Sequence, residues 1–196
     1  MVWTSDQCYL AGLDHFTSCV HALGPDDWDR PTPCARWTAR DVLGHVGGGT
    51  RFGTQLLTGQ PPTMPPTEQP GSTVEGDPVA WWDALVGPSR AAIDGVDLAK
   101  VVDSPMGPRS IADGLRFPAV DLFIHGWDIV RSTGRSVEIP GKVIDFARDA
   151  FAEFSDAAMR NPRVFGPTRE ADAAANPSDA FLAWTGRDPN WALPAS

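Results

Sequence analysis

An apolar segment in the second half of the chain, VDLFIHGWDIVRSTG (residues 120–134), constrains the fold more than any other feature. It reads as a helix, and it is too apolar for a helix that is fully surrounded by water. Yet it carries Asp121 and His125, four residues apart. Four residues make about 400° of helical turn and about 6 Å of rise, so both side chains project from one face on consecutive turns.

The Asp121 carboxylate needs a partner, because burying it unpaired is costly. A divalent cation held by Asp121 and His125 is one solution, and a direct bond between the two side chains without a metal is the other. Asp128 lies on the same side of the helix one turn further on. For Asp128 we favour an ion pair with Arg131, three residues away, or with Arg135, over a role as a metal ligand.

Helical spacing of apolar residues predicts further helices along the chain. Thr38 is a candidate N-cap with Asp41 as its capping-box partner, and Gly186 is a natural end for a short C-terminal helix. Pro118 either begins the helix of the apolar segment or kinks a longer helix that starts near Ile111. The predicted helices span residues 6–23, about 39–58, 79–93, the apolar segment as far as Gly134, about 142–159 and about 178–185.

The segments between these helices predict loops. Residues 59–78 contain six prolines and no apolar periodicity, residues 94–110 look irregular, and residues 160–196 form a C-terminal extension. No β-hairpin signal or internal repeat stands out. We therefore expect a single all-α domain over residues 1–196, built on a helix bundle with long loops and a short C-terminal helix.

Composition excludes several classes of partner. The net charge is −9 with only two lysines, which argues against nucleic acid and anionic membranes, since both attract clustered cations. No run of about twenty apolar residues or signal-peptide pattern is present. Cys8 and Cys19 are about 16 Å apart along a helix, too far for a disulfide. With Cys34 they make an odd count, typical of a reduced, cytoplasmic protein.

A metal site needs a third ligand, and His45 is the best candidate among four histidines. His15 and His21 lie on the first predicted helix, with His21 on its polar side. Glycines surround His45 in the stretch DVLGHVGGGTRF, at positions 44 and 47–49, although each helical glycine costs up to about 1 kcal/mol relative to alanine. Either they let another helix approach closely, or they leave room for a ligand. A lone histidine in a bundle is more often a core residue than a ligand.

Three segments together resemble a known family: PTPCARWTARDVLGHVGGGTRF, FPAVDLFIHGWDIVRSTG and DAFLAWTGRDP. They are similar to the DinB-like metal-binding superfamily, in its branch near the mycothiol-dependent maleylpyruvate isomerases. The resemblance implies a DinB-like four-helix bundle that binds a divalent metal, usually zinc or nickel. The implied ligands are His45, Asp121 and His125. The isomerases commonly have glutamate where this chain has Asp121, whose shorter side chain shifts the ion.

The resemblance also implies a metal-dependent transferase or isomerase that uses a small thiol, such as mycothiol, on an electrophilic substrate. Gly48 and Gly49 would help form the mouth of the site, and Arg51 or Arg116 would hold an anionic substrate unless they are surface arginines. For Cys34 a structural role is favoured over a reactive one. The alternative is a bundle that binds a metal or small molecule without turnover. A third possibility is a bundle that dimerises and binds no metal. A hydrogen-bond partner should orient each ligating imidazole.

Overall fold

The computed structural model describes residues 3–61, 63, 66, 68–103, 107–160 and 164–194, and most of these residues are helical. Its elements, in chain order, are α1 (Ser5–His21), α2 (Ala39–Leu57), α3 (Pro78–Ile93), β1 (Val101–Val102), β2 (Arg109–Ser110), α4 (Ile111–Arg131), α5 (Gly141–Phe151), α6 (Asp156–Met159) and α7 (Pro177–Trp184). Two 3₁₀ turns, Pro25–Asp27 and Pro70–Thr73, lie in the connecting segments.

The four long helices α1 to α4 form the bundle. Helix α1 packs on α3 and α4, and α2 packs on the same two helices, which closes a ring of four. The core lies inside this ring, and α4 supplies the largest continuous share of it, because all residues from 119 to 130 except Asp121 are buried. The predicted all-α class and four-helix bundle are confirmed.

Local sequence signals position the two helices that matter most for the site. The hydroxyl of Thr38 accepts a hydrogen bond from the backbone N–H of Asp41, and the Asp41 carboxylate accepts one from the N–H of Thr38 at 3.0 Å. This capping box fixes the start of α2 six residues before His45. Ser110 caps α4, so α4 is the longer of the two alternatives and runs through Pro118.

Two predictions outside the bundle are wrong. The helix expected over residues 142–159 is interrupted after Phe151, because the Ser155 hydroxyl accepts a hydrogen bond from the N–H of Ala158 and starts a new short helix. The region expected to be irregular holds a minimal antiparallel pair, with Val101 opposite Ser110 and Val102 opposite Arg109. Two-residue strands are too short to show the alternation that identifies a strand in sequence.

The C-terminal extension returns to the bundle. Helix α7 packs on α5, and the turn that follows it contains Gly186, whose φ of +88° lies in the left-handed region that favours glycine. The residue after Gly186 is Arg187, so this turn determines where the Arg187 side chain enters the protein. Among the described residues, no helix is long and apolar enough to cross a bilayer.

Candidate metal centre

Two helices bring His45, Asp121 and His125 together. His45 projects from α2, and the other two project from consecutive turns of α4. The Nε2 atom of His45 lies 3.4 Å from one carboxylate oxygen of Asp121, and the Nε2 atom of His125 lies 3.3 Å from the other. One donor atom from each side chain lies within 4.8 Å of the other two. His125 is buried, whereas His45 and Asp121 are each more than one third exposed at the side chain.

This spacing fits a divalent ion. Metal–ligand bonds of about 2.1 Å in a tetrahedral arrangement place the ligand atoms about 3.4 Å apart. Imidazole nitrogens and a carboxylate oxygen suit zinc, nickel and related ions. The same three groups also satisfy one another without a metal, so the geometry is compatible with both of the solutions open for Asp121.

Asp128 orients the His125 ring. Its ion-pair partner is Arg187, which the sequence analysis did not predict. One oxygen of Asp128 lies 2.9 Å from Nδ1 of His125, and the Arg187 guanidinium donates to that oxygen, also at 2.9 Å. Asp128 is completely buried, and the expected ion pairs with Arg131 or Arg135 are wrong. Arg131 donates to the carbonyl of Trp191 instead.

The charge state of Asp128 fixes the tautomer of His125. Burial would raise the pKa of Asp128, but Arg187 and His125 more than offset burial and hold this pKa well below its usual range. An ionised carboxylate only accepts hydrogen bonds, so Nδ1 of His125 carries the hydrogen. The other nitrogen, Nε2, therefore faces Asp121 and is available as a ligand atom. This is the hydrogen bond expected for a ligating imidazole.

Cys34 joins the same buried group from the loop before α2. Its thiol donates to the Asp128 carboxylate at 3.1 Å, and an Arg187 nitrogen lies 3.6 Å from the sulfur. Burial, and then the negative charge of Asp128, raise the pKa of Cys34. The thiol therefore stays protonated at neutral pH, as the structural role favoured for it requires.

Electrostatics couple the two groups on α4. Burial would raise the pKa of Asp121, but His125 and then His45 hold it well below its usual range. Burial would lower the pKa of His125, but Asp121 and Asp128 raise it well above the ordinary histidine value. Without a metal, the pair is thus a carboxylate facing an imidazolium. A divalent cation would replace the proton on Nε2 of His125.

A pocket of about 210 Å³ adjoins His45 and Asp121 between α2 and α4.

The glycines around His45 have two explanations, close approach of another segment and room for a ligand, and each explanation applies at different positions. A Cβ at Gly44 would lie 2.1 Å from the Pro70 carbonyl, and one at Gly47 would lie 2.3 Å from the Trp81 ring, so both permit close approach. A Cβ at Gly49 would meet nothing within 4 Å, and Gly49 lines the pocket. Gly48 is half-buried and does not line it.

The two arginines considered for anion binding do not line this pocket. The guanidinium of Arg51 lies over the Trp81 ring, 5.6 Å from its centroid. Arg116 pairs with Asp113 at 3.3 Å and with Glu153 at 3.6 Å. Arg51 is exposed and the Arg116 side chain is 31% exposed, which favours the surface-arginine alternative for both.

The remaining histidines and cysteines lie away from the three candidate ligands. His21 is half-exposed, as its position on the polar side predicts, and it also contacts Asp83. His15 stacks on Phe123, with ring centroids 4.8 Å apart. Cys8 and Cys19 are buried and unpaired, and burial raises the pKa of each to about 12.

Two known proteins are similar to this chain over most of its length. Two uncharacterised proteins of Mycobacterium tuberculosis, from strains CDC 1551 / Oshkosh and H37Rv, are each 26% identical to this chain over 178 residues, which is 89% of this chain and 92% of the relative.

Solved structures show the same fold. A crystal structure of the mycothiol-dependent maleylpyruvate isomerase superposes with a TM-score of 0.59 at 16% identity, and a point mutant of it superposes with a TM-score of 0.60 at 14%. Each match covers 72% of this chain and 65% of the isomerase, so this chain spans about two thirds of that protein. The family model described as mycothiol maleylpyruvate isomerase N-terminal domain matches residues 9–130. Because this match includes α1 to α4 almost completely, the chain belongs to the mycothiol maleylpyruvate isomerase N-terminal domain family.

Proposed function

We propose that this protein is a divalent-metal-binding isomerase or transferase that uses a small thiol of the mycothiol type on an electrophilic substrate. His45, Asp121 and His125 would hold the ion, with zinc or nickel as the expected metal. The observation that carries the proposal is the convergence of their three donor atoms beside an open pocket. Family membership supports the thiol.

Three protein ligands are typical of catalytic metal sites, whereas structural zinc sites usually have four. A bound divalent ion lowers the pKa of a coordinating thiol, which supplies a thiolate nucleophile at neutral pH. The protein's own groups prepare the site. Asp128 holds His125 with Nε2 facing the ion, which would replace the proton on that nitrogen, and Asp121 is already ionised. The apolar side chains of the pocket would shield the electrophile from water.

The C-terminal extension belongs to the proposed functional unit. Arg187 lies beyond the residues that match the family model, yet it contacts the carboxylate that orients His125. We therefore expect the whole chain to act as one domain. A reducing compartment such as the cytoplasm would keep the three unpaired cysteines reduced and would supply the thiol.

Elemental analysis of the purified protein tests the metal site. We expect about one equivalent of divalent metal in the wild type and almost none in His125→Ala or His45→Ala. His21→Ala is the matched control, because His21 is a histidine that lies outside the cluster, and it should keep its metal. Full metal occupancy in His125→Ala would rule out the proposed ligands.

Metal removal then separates catalysis from a non-catalytic role. A catalytic ion should leave the melting temperature almost unchanged when a chelator removes it, whereas loss of the fold would indicate a structural ion. A panel of electrophiles, with and without mycothiol and each metal, tests turnover directly. A loaded protein that accelerates no thiol reaction would support the alternative of a non-catalytic metal-binding bundle.

A further inference from the structure

Trp37 lies directly before the N-cap of α2, and its ring is placed beside both candidate histidine ligands. Resting on the proposed function, we propose that Trp37 is a positioning residue, whose ring holds the His45 imidazole in the orientation that ligates the ion. Its aromatic face does for His45 what the hydrogen bond from Asp128 does for His125.

The two candidate imidazoles are held differently. His125 is buried, and Nδ1 of its ring is hydrogen-bonded to Asp128. The His45 side chain is 36% exposed, and its polar contact is Asp121, 3.4 Å from Nε2. Within the described part of the chain, no hydrogen bond holds the other nitrogen of His45. An imidazole turns about two side-chain bonds, so an exposed histidine needs a further contact to keep one rotamer.

The next turn of α2 does not supply that contact. Residues three and four positions further along a helix lie on the same face, and after His45 these are Gly48 and Gly49, which have no side chains. Helical side chains lean toward the N-terminus of their own helix. His45 is therefore directed toward the start of α2, which is where Trp37 lies.

The Trp37 ring occupies this position. Its centroid lies 4.9 Å from that of His45, with the two ring planes at 43°, and 6.3 Å from that of His125. The two imidazole centroids are 4.9 Å apart, so the three rings form a compact triangle. Centroid separations of about 4.5–7 Å are typical of aromatic rings that attract each other. Rotation of His45 out of the site would lose this contact.

Hydrogen bonds fix the loop that carries Trp37. The backbone N–H of Trp37 donates to the Cys34 carbonyl at 3.0 Å, and its carbonyl accepts from the N–H and the hydroxyl of Thr32 at 3.1 and 2.9 Å. Arg36, inside this turn, has a φ of +70°, which is uncommon for a residue other than glycine and persists where surrounding contacts determine the backbone. The ring is therefore presented to His45 by a well-determined loop.

The alternative is a packing role, since the Trp37 side chain is half-buried and packs against the core. A packing role alone predicts a loss of stability without a specific effect on the metal. A positioning role also predicts weaker zinc binding, because part of the binding free energy is then lost to ordering His45.

Zinc affinities of three variants test the proposal, measured by competition with a chelating dye. Trp37→Leu removes the aromatic face and should weaken zinc binding about threefold to tenfold, the equivalent of one aromatic pair. Trp37→Phe keeps an aromatic ring and should stay within about twofold of the wild type. Trp81→Leu is the matched control, because Trp81 is half-buried and lies against α2 at Gly47. It should lower the melting temperature and leave the zinc affinity unchanged.

The dynamics of the histidine rings give a readout that needs no metal. With isotope-labelled histidine, NMR relaxation of the metal-free protein reports the mobility of each imidazole on its own timescale. We expect the His45 ring to become more mobile in Trp37→Leu, and the His125 ring to stay rigid because Asp128 still holds it. If Trp37→Leu does not fold, Trp37→Met fills more of the space without an aromatic ring and serves as the same test.

The outcomes separate this inference from the proposed function. Wild-type zinc affinity and wild-type His45 mobility in Trp37→Leu would overturn the inference and leave the function standing. Equal losses of affinity in Trp37→Leu and Trp81→Leu, or in Trp37→Leu and Trp37→Phe, would also overturn the inference. A wild-type protein that binds no zinc would overturn the function, and the relaxation measurement would still decide whether Trp37 holds His45.

Discussion

Replacing Asp128 by asparagine should lower the free energy of unfolding by about 3–5 kcal/mol, because the substitution leaves the Arg187 cation buried without its counter-charge. The Asp128 side chain is 0% exposed and that of Arg187 is 12% exposed, so water replaces little of the lost interaction. Asparagine can still accept the hydrogen bond from Nδ1 of His125. The expected loss therefore comes mainly from the unpaired charge.

For a chain of this size, 1 kcal/mol corresponds to about 2–4 °C in melting temperature. The Asp128→Asn variant should therefore melt about 6–20 °C below the wild type, measured by circular dichroism after chelation of metal. The double variant Asp128→Asn/Arg187→Met should recover part of this loss, because neither charge then remains buried and unpaired. Zinc affinity of the single variant should fall by about 10–100-fold, since Asp128 orients a ligand.

Arg160→Gln is the matched control for these measurements. Its side chain is also 12% exposed, and it donates to the Trp184 carbonyl near the same C-terminal turn without contacting Asp128. We expect a lower melting temperature in this control and an unchanged zinc affinity. The reasoning would be refuted by a wild-type melting temperature in Asp128→Asn, by additive losses in the double variant, or by equal losses of zinc affinity in Asp128→Asn and the control.

Other substitutions test the packing and pH dependence of the bundle. Gly47→Ala should destabilise the protein by about 1–3 kcal/mol in urea denaturation because its Cβ would overlap the Trp81 ring, whereas Gly49→Ala should stabilise it by up to about 1 kcal/mol; equal effects would contradict the packing argument. Burial lowers the pKa of His15, so below its unfolded value of about 6.5 the unfolded chain binds a proton that the folded state resists. Stability should then fall as the pH falls from 6.5, and a His15→Gln variant that retains the full pH slope in urea titrations would disprove this contribution.

Features that depend on neighbours within about one helical turn could be predicted from the sequence. The capping pair Thr38 and Asp41 fixed the start of α2, and the spacing of Asp121 and His125 fixed their common face. Both follow from helix geometry, which is the same in any protein. Boundaries failed where a local signal was weak: a single serine at position 155 divided a predicted helix, and a two-residue strand pair left no pattern.

The amino-acid sequence by itself determined the helical class, the helix that must be buried, and the pair of potential ligands that this helix carries. Only the tertiary structure decided that His45 reaches Asp121 from another helix, and that Arg187, 59 residues along the chain, neutralises Asp128. It also engaged Arg51 with the Trp81 ring and Arg116 with two carboxylates, so that neither lines the pocket. The physical reason is that a contact between distant segments depends on how helices pack and where loops return, and the 3.6-residue period of a helix contains no information on either.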